Sequence, residues 1–407
     1  MEACGHLPLN FIGQVFDKLV CSGYCSTVVA RSTTWSTERQ EAASNGFANM
    51  ATRSTGAGVE TKMDLQIAIL LGQDGITTGA IYALLALALV LVFAVTRVIF
   101  IPQGEFVAFG ALTLASLLNG DTPATLWLLL ACGIAVAAVD SLAAVRRGDT
   151  RRLASIVGWN LAYPLALAAL LYANPPGAMP MLLQIVLALA IVVPLGPMIY
   201  RLAFQPIAEA PVLILLIVSV ALHVTLVGLG LLFFGAEGIR TPAFSDAQFE
   251  FGSIMVSGQQ AWVVGASVLL IAALYLFFGR TIYGKALRAT AINRNGARLM
   301  GFSPVFAGKL TFLLAAFIGA LSGVLIAPVT TIYYDTGFLI GLKGFVAAII
   351  GGLASYPLAA AGALTVGLLE SFSSFWASAY KEVIVFTLII PVLLWQSLTS
   401  HHIDEEE

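Results

Sequence analysis

Five polar side chains stand inside long apolar runs of this chain: Glu105, Ser219, His223, Lys343 and Glu370. An ionisable group at membrane depth is costly unless it faces other helices or water, so these residues are candidates for lining a solute path. Each also has a plainer reading. Lys343 and Glu105 would lie at interfaces with their heads reaching water, Glu370 would hydrogen-bond between helices, and His223, flanked by Ser219 and Thr225, would be a satisfied interior side chain. No catalytic or metal grouping is legible. Cys4, Cys21, Cys25 and Cys132, and His6, His223, His401 and His402, are scattered without ligand spacing.

A second chemically distinct stretch is a basic island from Gly279 to Lys309. It holds Arg280, Lys285, Arg288, Arg294, Arg298 and Lys309 with no acid among them. Its opening, GRTIYGK, nearly completes the phosphate-binding GxxxxGK[ST] motif. Ala286 stands where the magnesium-binding hydroxyl belongs, and no strand precedes the glycines, so the match is a coincidence. The plain alternative for the island is an anchor for lipid headgroups. On a helix starting near Gly284, Ala289, Ile292, Gly296 and Leu299 would form one apolar stripe turned toward other helices, with Lys285, Arg288, Asn295 and Arg298 beside it.

The elements that carry these residues follow from composition. With 59% hydrophobic and 10% charged residues over 407 positions, there is too little polar surface for a soluble globule. Apolar runs joined by short polar links, without alternating ten-residue strands, predict an all-α polytopic bundle of about ten spans. Expected spans are 75–97, 104–118, 124–145, 153–173, 181–200, 211–234, 260–279, 306–330, 341–378 and 383–399. The 104–118 run is short for a crossing. The 341–378 run is too long and is interrupted by Gly351, Gly352 and Pro357, so either could be broken or re-entrant.

Residues 1–62 are Ser/Thr/Ala/Gly-rich and aperiodic, which predicts a disordered extension or a mis-assigned start with Met63 the first residue. The apolar, span-bearing body is 63–399, and 400–407 form an acidic tail. Arginine in short links predicts the cytoplasmic side. Arg97, the RRGDTRR link (Arg146, Arg147, Arg151 and Arg152), Arg201 and the basic island all fall on one side when spans are counted, and the loop from Gly235 to Gln259 falls on the other.

The island GKALRATAINRNGARLMGF resembles the cytoplasmic loop of permease subunits of branched-chain amino acid ABC transporters. That pattern runs G-x-A-x-R-A-x-A-x-[DN]-x(3)-A-x-L-x-G, and Gly284, Ala286, Arg288, Ala289, Ala291, Asn293, Ala297, Leu299 and Gly301 fall on it in register. The stretch from Gly337 to Glu370, the triplet Tyr380-Lys381-Glu382, the RLAFQP segment from Arg201 and the first span with Gly75, Thr78, Gly79 and Tyr82 are similar to further signatures of that family. There are departures. Of the family's N-F-A-H-G-E only Gly104 and Glu105 survive, Ala354 and Leu358 replace glycines, and extra length near 124–173 suggests an inserted two-helix hairpin.

The resemblance implies a transport subunit that is not an enzyme and binds no cofactor itself, ATP and Mg belonging to partner subunits. Expected partners are two cytoplasmic ATP-binding subunits, a second related permease subunit, an extracytoplasmic solute-binding protein and membrane lipid, with no nucleic acid. The expected location is the bacterial inner membrane. Alternating access would be driven through a coupling loop at 280–305, with Arg288 the leading contact to the ATPase, Asn293, Arg294 and Arg298 behind it, and Gly284, Ala289, Ala297 and Gly301 allowing close packing. The solute would be a branched-chain or other amino acid. Alternatives are urea or amides within the same family, or a secondary transporter, against which the scarcity of buried acids argues; composition alone leaves a channel or a structural membrane subunit open.

Overall fold

A computed structural model of the chain describes residues 65–146, 158–245, 247–251, 254–353 and 355–399. The expectations for 1–62, for Arg147, Arg151 and Arg152, for the tail from 400 and for six of the eight cysteines and histidines lie outside the described residues.

The described body is helical. In chain order it comprises α1 (Leu65–Thr96), α2 (Gln103–Leu118), α3 (Thr125–Arg146), α4 (Tyr163–Ala173), α5 (Met181–Val192), α6 (Leu195–Ile199), α7 (Val212–Phe234), a hairpin of β1 (Gln248–Phe251) and β2 (Ile254–Ser257), α8 (Gly258–Arg280), α9 (Ile282–Ile292), α10 (Arg294–Leu299), α11 (Pro304–Ile326), α12 (Thr336–Ile350), α13 (Tyr356–Trp376), α14 (Lys381–Thr387) and α15 (Ile389–Thr399). Eight helical stretches among the described residues are long and apolar enough to cross a membrane, and three shorter apolar helices accompany them. The chain is an all-α polytopic bundle.

The first span sits at its centre. From Ile81 to Val92 every residue of α1 is buried, on all sides of the helix, as expected of a helix that is apolar all round. α11, α12 and α13 surround it. Small residues let these helices approach, as is common where helices pack in lipid: Gly79 of α1 lies against Ala363 and Leu364 of α13. α1 begins ten residues before the expected boundary. Gln73 and Asp74 interrupt the apolar run and look like its edge, but Gln73 is bonded to the Met255 carbonyl and to Gln260, so the helix continues past them as packed structure.

The two ends of the bundle agree with the charge pattern. At one end, Leu91 and Val95 of α1 pack with Leu287 of α9 and Ala307 of α11, and Tyr200, next to Arg201, lies against Gly308 near the start of α11, with Arg201 paired to Asp140 of α3. At the other, the start of α1 meets the β hairpin through Gln73 and Met255. The island, Arg97 and Arg201 thus share a face opposite the Gly235–Gln259 loop. The hairpin was not foreseen; its register runs Gln248↔Ser257 to Phe251↔Ile254.

The 341–378 run is two antiparallel helices. Ala347 and Ile350 of α12 face Gly362 of α13, and the chain reverses between Gly351 and Ser355, where Gly352 and Leu353 take positive φ of 63° and 54°.

Candidate functional site

The path candidates come from the broken connection between α1 and α2. α1 stops where Arg97 adopts φ 61°, and the chain runs on without helix through Val98 and Phe100, which are 2% and 1% exposed. Irregular backbone at this depth is tolerated only when protein or water covers it. Here the Ile101 N–H donates to Ser219 Oγ at 2.9 Å, and Gln103 Nε2 donates to the Ala315 carbonyl at the middle of α11. α2 therefore begins at mid-bundle, with its N-terminal dipole buried there. That end favours negative charge, and Glu105 lies in the first turn at 0% exposure.

Glu105 Oε1 lies 3.0 Å from His223 Nδ1 of α7. Its other oxygen, Oε2, is buried and has no hydrogen-bond partner, as is Gln103 Oε1. His223 stacks on Phe338 of α12, with ring centroids 4.5 Å apart. Phe338 also borders an apolar cavity of about 260 Å³, lined in part by Ile101, Leu216, Gly341 and Phe345, which neither Glu105 nor His223 itself lines. Ser219, Glu105 and His223 are thus one cluster. Thr225 is not part of it: its hydroxyl donates to the Ala221 carbonyl at an exposed position.

Lys343 and Glu370 form a second cluster with partners the sequence reading missed. Lys343 Nζ is 2.5 Å from Glu370 Oε1 and 3.1 Å from Glu382 Oε1, and the Tyr82 hydroxyl donates to Glu370 Oε2 at 2.6 Å. Lys343 is 5% exposed and paired, so it does not reach toward water as an interface lysine would. Tyr82 and Glu382 were noted only as parts of similar motifs. Their signal was that one lysine and several acids share apolar helices, and such groups must pair.

The basic island is two helices. Thr281 Oγ1 caps α9 by accepting from the Gly284 N–H at 3.0 Å. Asn293, in an extended conformation, caps α10 by accepting from the Gly296 N–H at 2.8 Å. The uninterrupted apolar stripe is therefore a correction. Asparagine competes for backbone bonds and favours caps over helix interiors, so the spacing across 293 no longer describes one face. Ala286, Leu287, Thr290 and Ala297 are the buried positions, while Ile292 and Leu299 are 85% and 88% exposed and Ala289 is exposed too.

The outward side carries a shallow apolar depression bordered by Ile282, Ala289, Ile292, Gly296, Met300 and Phe302. Of the coupling candidates, Gly284 packs against the backbone of Phe277 and Phe278. Arg288 donates to the Phe278 carbonyl at 2.6 Å, and Arg294 to the Ala208 carbonyl at 3.1 Å. Arg298 is exposed, and Gly301 ends the loop with φ 88°.

The profile of the family described as branched-chain amino acid transport system, permease component, matches residues 154–393. The chain belongs to that family. It is 27% identical over 334 residues to the high-affinity branched-chain amino acid transport system permease protein LivH of Escherichia coli K12, covering 79% of this chain and 91% of that protein. To the corresponding BraD of Pseudomonas aeruginosa it is 28% identical, covering 70% of this chain and 94% of that one. A probable LivH of Methanocaldococcus jannaschii is 29% identical over 48% of this chain and 67% of its own length. No solved structure matches. This permease is a multi-pass membrane transport protein; one of its polar clusters lies at the break between α1 and α2, and the other joins the continuous helices α1, α12 and α13.

Proposed function

We propose that this permease is the membrane-spanning subunit of a bacterial inner-membrane ABC importer for an amino acid with an apolar side chain. ATP and Mg are handled by two cytoplasmic partner subunits, a second permease completes the passage, and an extracytoplasmic binding protein delivers the solute. Its relatives are named for branched-chain amino acid transport. The observation that carries the reading is the apolar depression on the outward side of α9 and α10. Exposed apolar surface of this kind marks an interaction site, and here it lies on a loop whose cations argue for the cytoplasm.

Docking at that loop couples to the bundle because Leu287 packs on Leu91 and Val95 of the central helix. A partner that closes on ATP would press on α9 and bias the helices between outward-facing and inward-facing arrangements. The solute site is the Glu105–His223 pair with the cavity that Phe338 borders. The free Glu105 oxygen suits an ammonium group, and the apolar walls suit an aliphatic side chain. The secondary-transporter alternative is not favoured, since the family match points to a transport-system component.

The test is a cysteine at Ile292 in the assembled complex, oxidised against cysteines placed on the ATP-binding subunit. We expect a disulfide whose yield changes when ATP binds. No cross-link from any position bordering the depression would contradict the docking.

A further inference from the structure

A slot of about 500 Å³ separates α8 from α1 and α13 at the end of the bundle that carries the basic island. Its walls are apolar: Leu87 and Leu91 of α1, Ile271 and Leu274 of α8, Ile318 of α11 and Ala360 of α13. The charged residue of its lining, Arg288, stands at the island end, where Tyr356 also lines it. Tyr275, 79% exposed, also lines the slot from α8, a helix that turns Leu269 (72% exposed) outward as well. An aliphatic channel ending in a cation suits one kind of occupant.

We propose that this slot holds a single anionic phospholipid, with an acyl chain along its length and the phosphate on Arg288. A guanidinium carries five N–H donors in a rigid fork that matches phosphate. Among the described residues Arg288 makes one hydrogen bond, from Nη2 to the Phe278 carbonyl, and has no ionic partner. Arg280 and Lys285 lie close along the chain and are exposed, adding positive charge near Arg288 in sequence. Basic pockets between transmembrane helices on the cytoplasmic side are suited to acidic headgroups.

A packed helix from a partner is a poorer occupant. An apolar transmembrane helix would bring no anionic group to Arg288. Free phosphate would leave the aliphatic walls unused. A lipid seated here touches α8, α13 and the arginine of α9 at once, so it ties the island to the bundle independently of the transported solute.

The experiment is native mass spectrometry of the full-length permease with its co-purifying subunits, delipidated and then titrated with phosphatidylglycerol or phosphatidylcholine of matched chains. The expected result is one retained phosphatidylglycerol per copy of this chain, held about fivefold more tightly than phosphatidylcholine, the value of one cation near an anionic surface. Arg288→Gln should equalise the two lipids. Ala360→Trp, which fills the slot, should abolish retention of both, and Leu274→Trp on the outward-facing α8 provides the same block at a position more tolerant of size. Equal retention of both lipids by the unmodified protein, or undiminished phosphatidylglycerol binding in folded Ala360→Trp or Leu274→Trp complexes, would overturn the proposal.

Discussion

Gly104 and Gly341 hold the backbones of α2 and α12 in direct contact: a β-carbon added to Gly341 would lie 2.9 Å from the Gly104 Cα. This approach sets the start of α2 at mid-bundle and holds Glu105 one residue from the contact. Gly341→Ala is expected to destabilise the permease by about 1–3 kcal/mol, the cost of overpacking a tight site. The check is thermal unfolding of the purified complex, where a melting temperature equal to that of the unmodified protein would contradict the close contact.

Glu105→Gln keeps the shape of the side chain and removes its charge. If the free Glu105 oxygen takes the solute ammonium, uptake should fall at least tenfold, about the loss of one charge-assisted hydrogen bond, while assembly and ATP hydrolysis persist. Uptake at the unmodified rate would remove Glu105 from the path.

Lys343→Met leaves the Glu370 and Glu382 carboxylates facing one another without their cation. A broken buried pair is strongly destabilising, so a loss of about 3 kcal/mol is expected, the low end of the range because Glu382 is partly exposed. Adding Glu370→Gln to Lys343→Met should recover part of that loss, and a double-mutant cycle on unfolding measures it. Strictly additive losses would mean that the pair contributes no coupling.

Ile292→Ser with Leu299→Ser changes only outward-facing side chains. The melting temperature of the permease should stay the same while the ATP-binding subunits dissociate or hydrolyse ATP without uptake. Normal coupled transport in this variant would place the docking surface elsewhere.

Much of this arrangement was legible from residue type and spacing. Apolar runs located the spans because backbone amides in lipid must be satisfied within helices, and the arginines grouped the links on one face. The island matched its motif residue by residue. What escaped the sequence were one local cap and the pairings made across distant elements. Asn293 splits the island because its side chain caps α10, which spacing on an assumed single helix cannot register. Lys343 and Glu370 were seen separately, since they stand 27 positions apart in the chain, and only the antiparallel reversal at Gly351–Ser355 brings them level. Glu105 and His223 meet through the unwound stretch from Val98 to Pro102, whose course has no periodic signature.

The most direct measurement is solute uptake into proteoliposomes holding the complete complex, with the binding protein added outside and ATP supplied at the face carrying the basic island. The expected result is uptake of an aliphatic amino acid that requires both ATP and the binding protein and stops with a non-hydrolysable analogue. Equal uptake without ATP, or driven by an ion gradient alone, would contradict it.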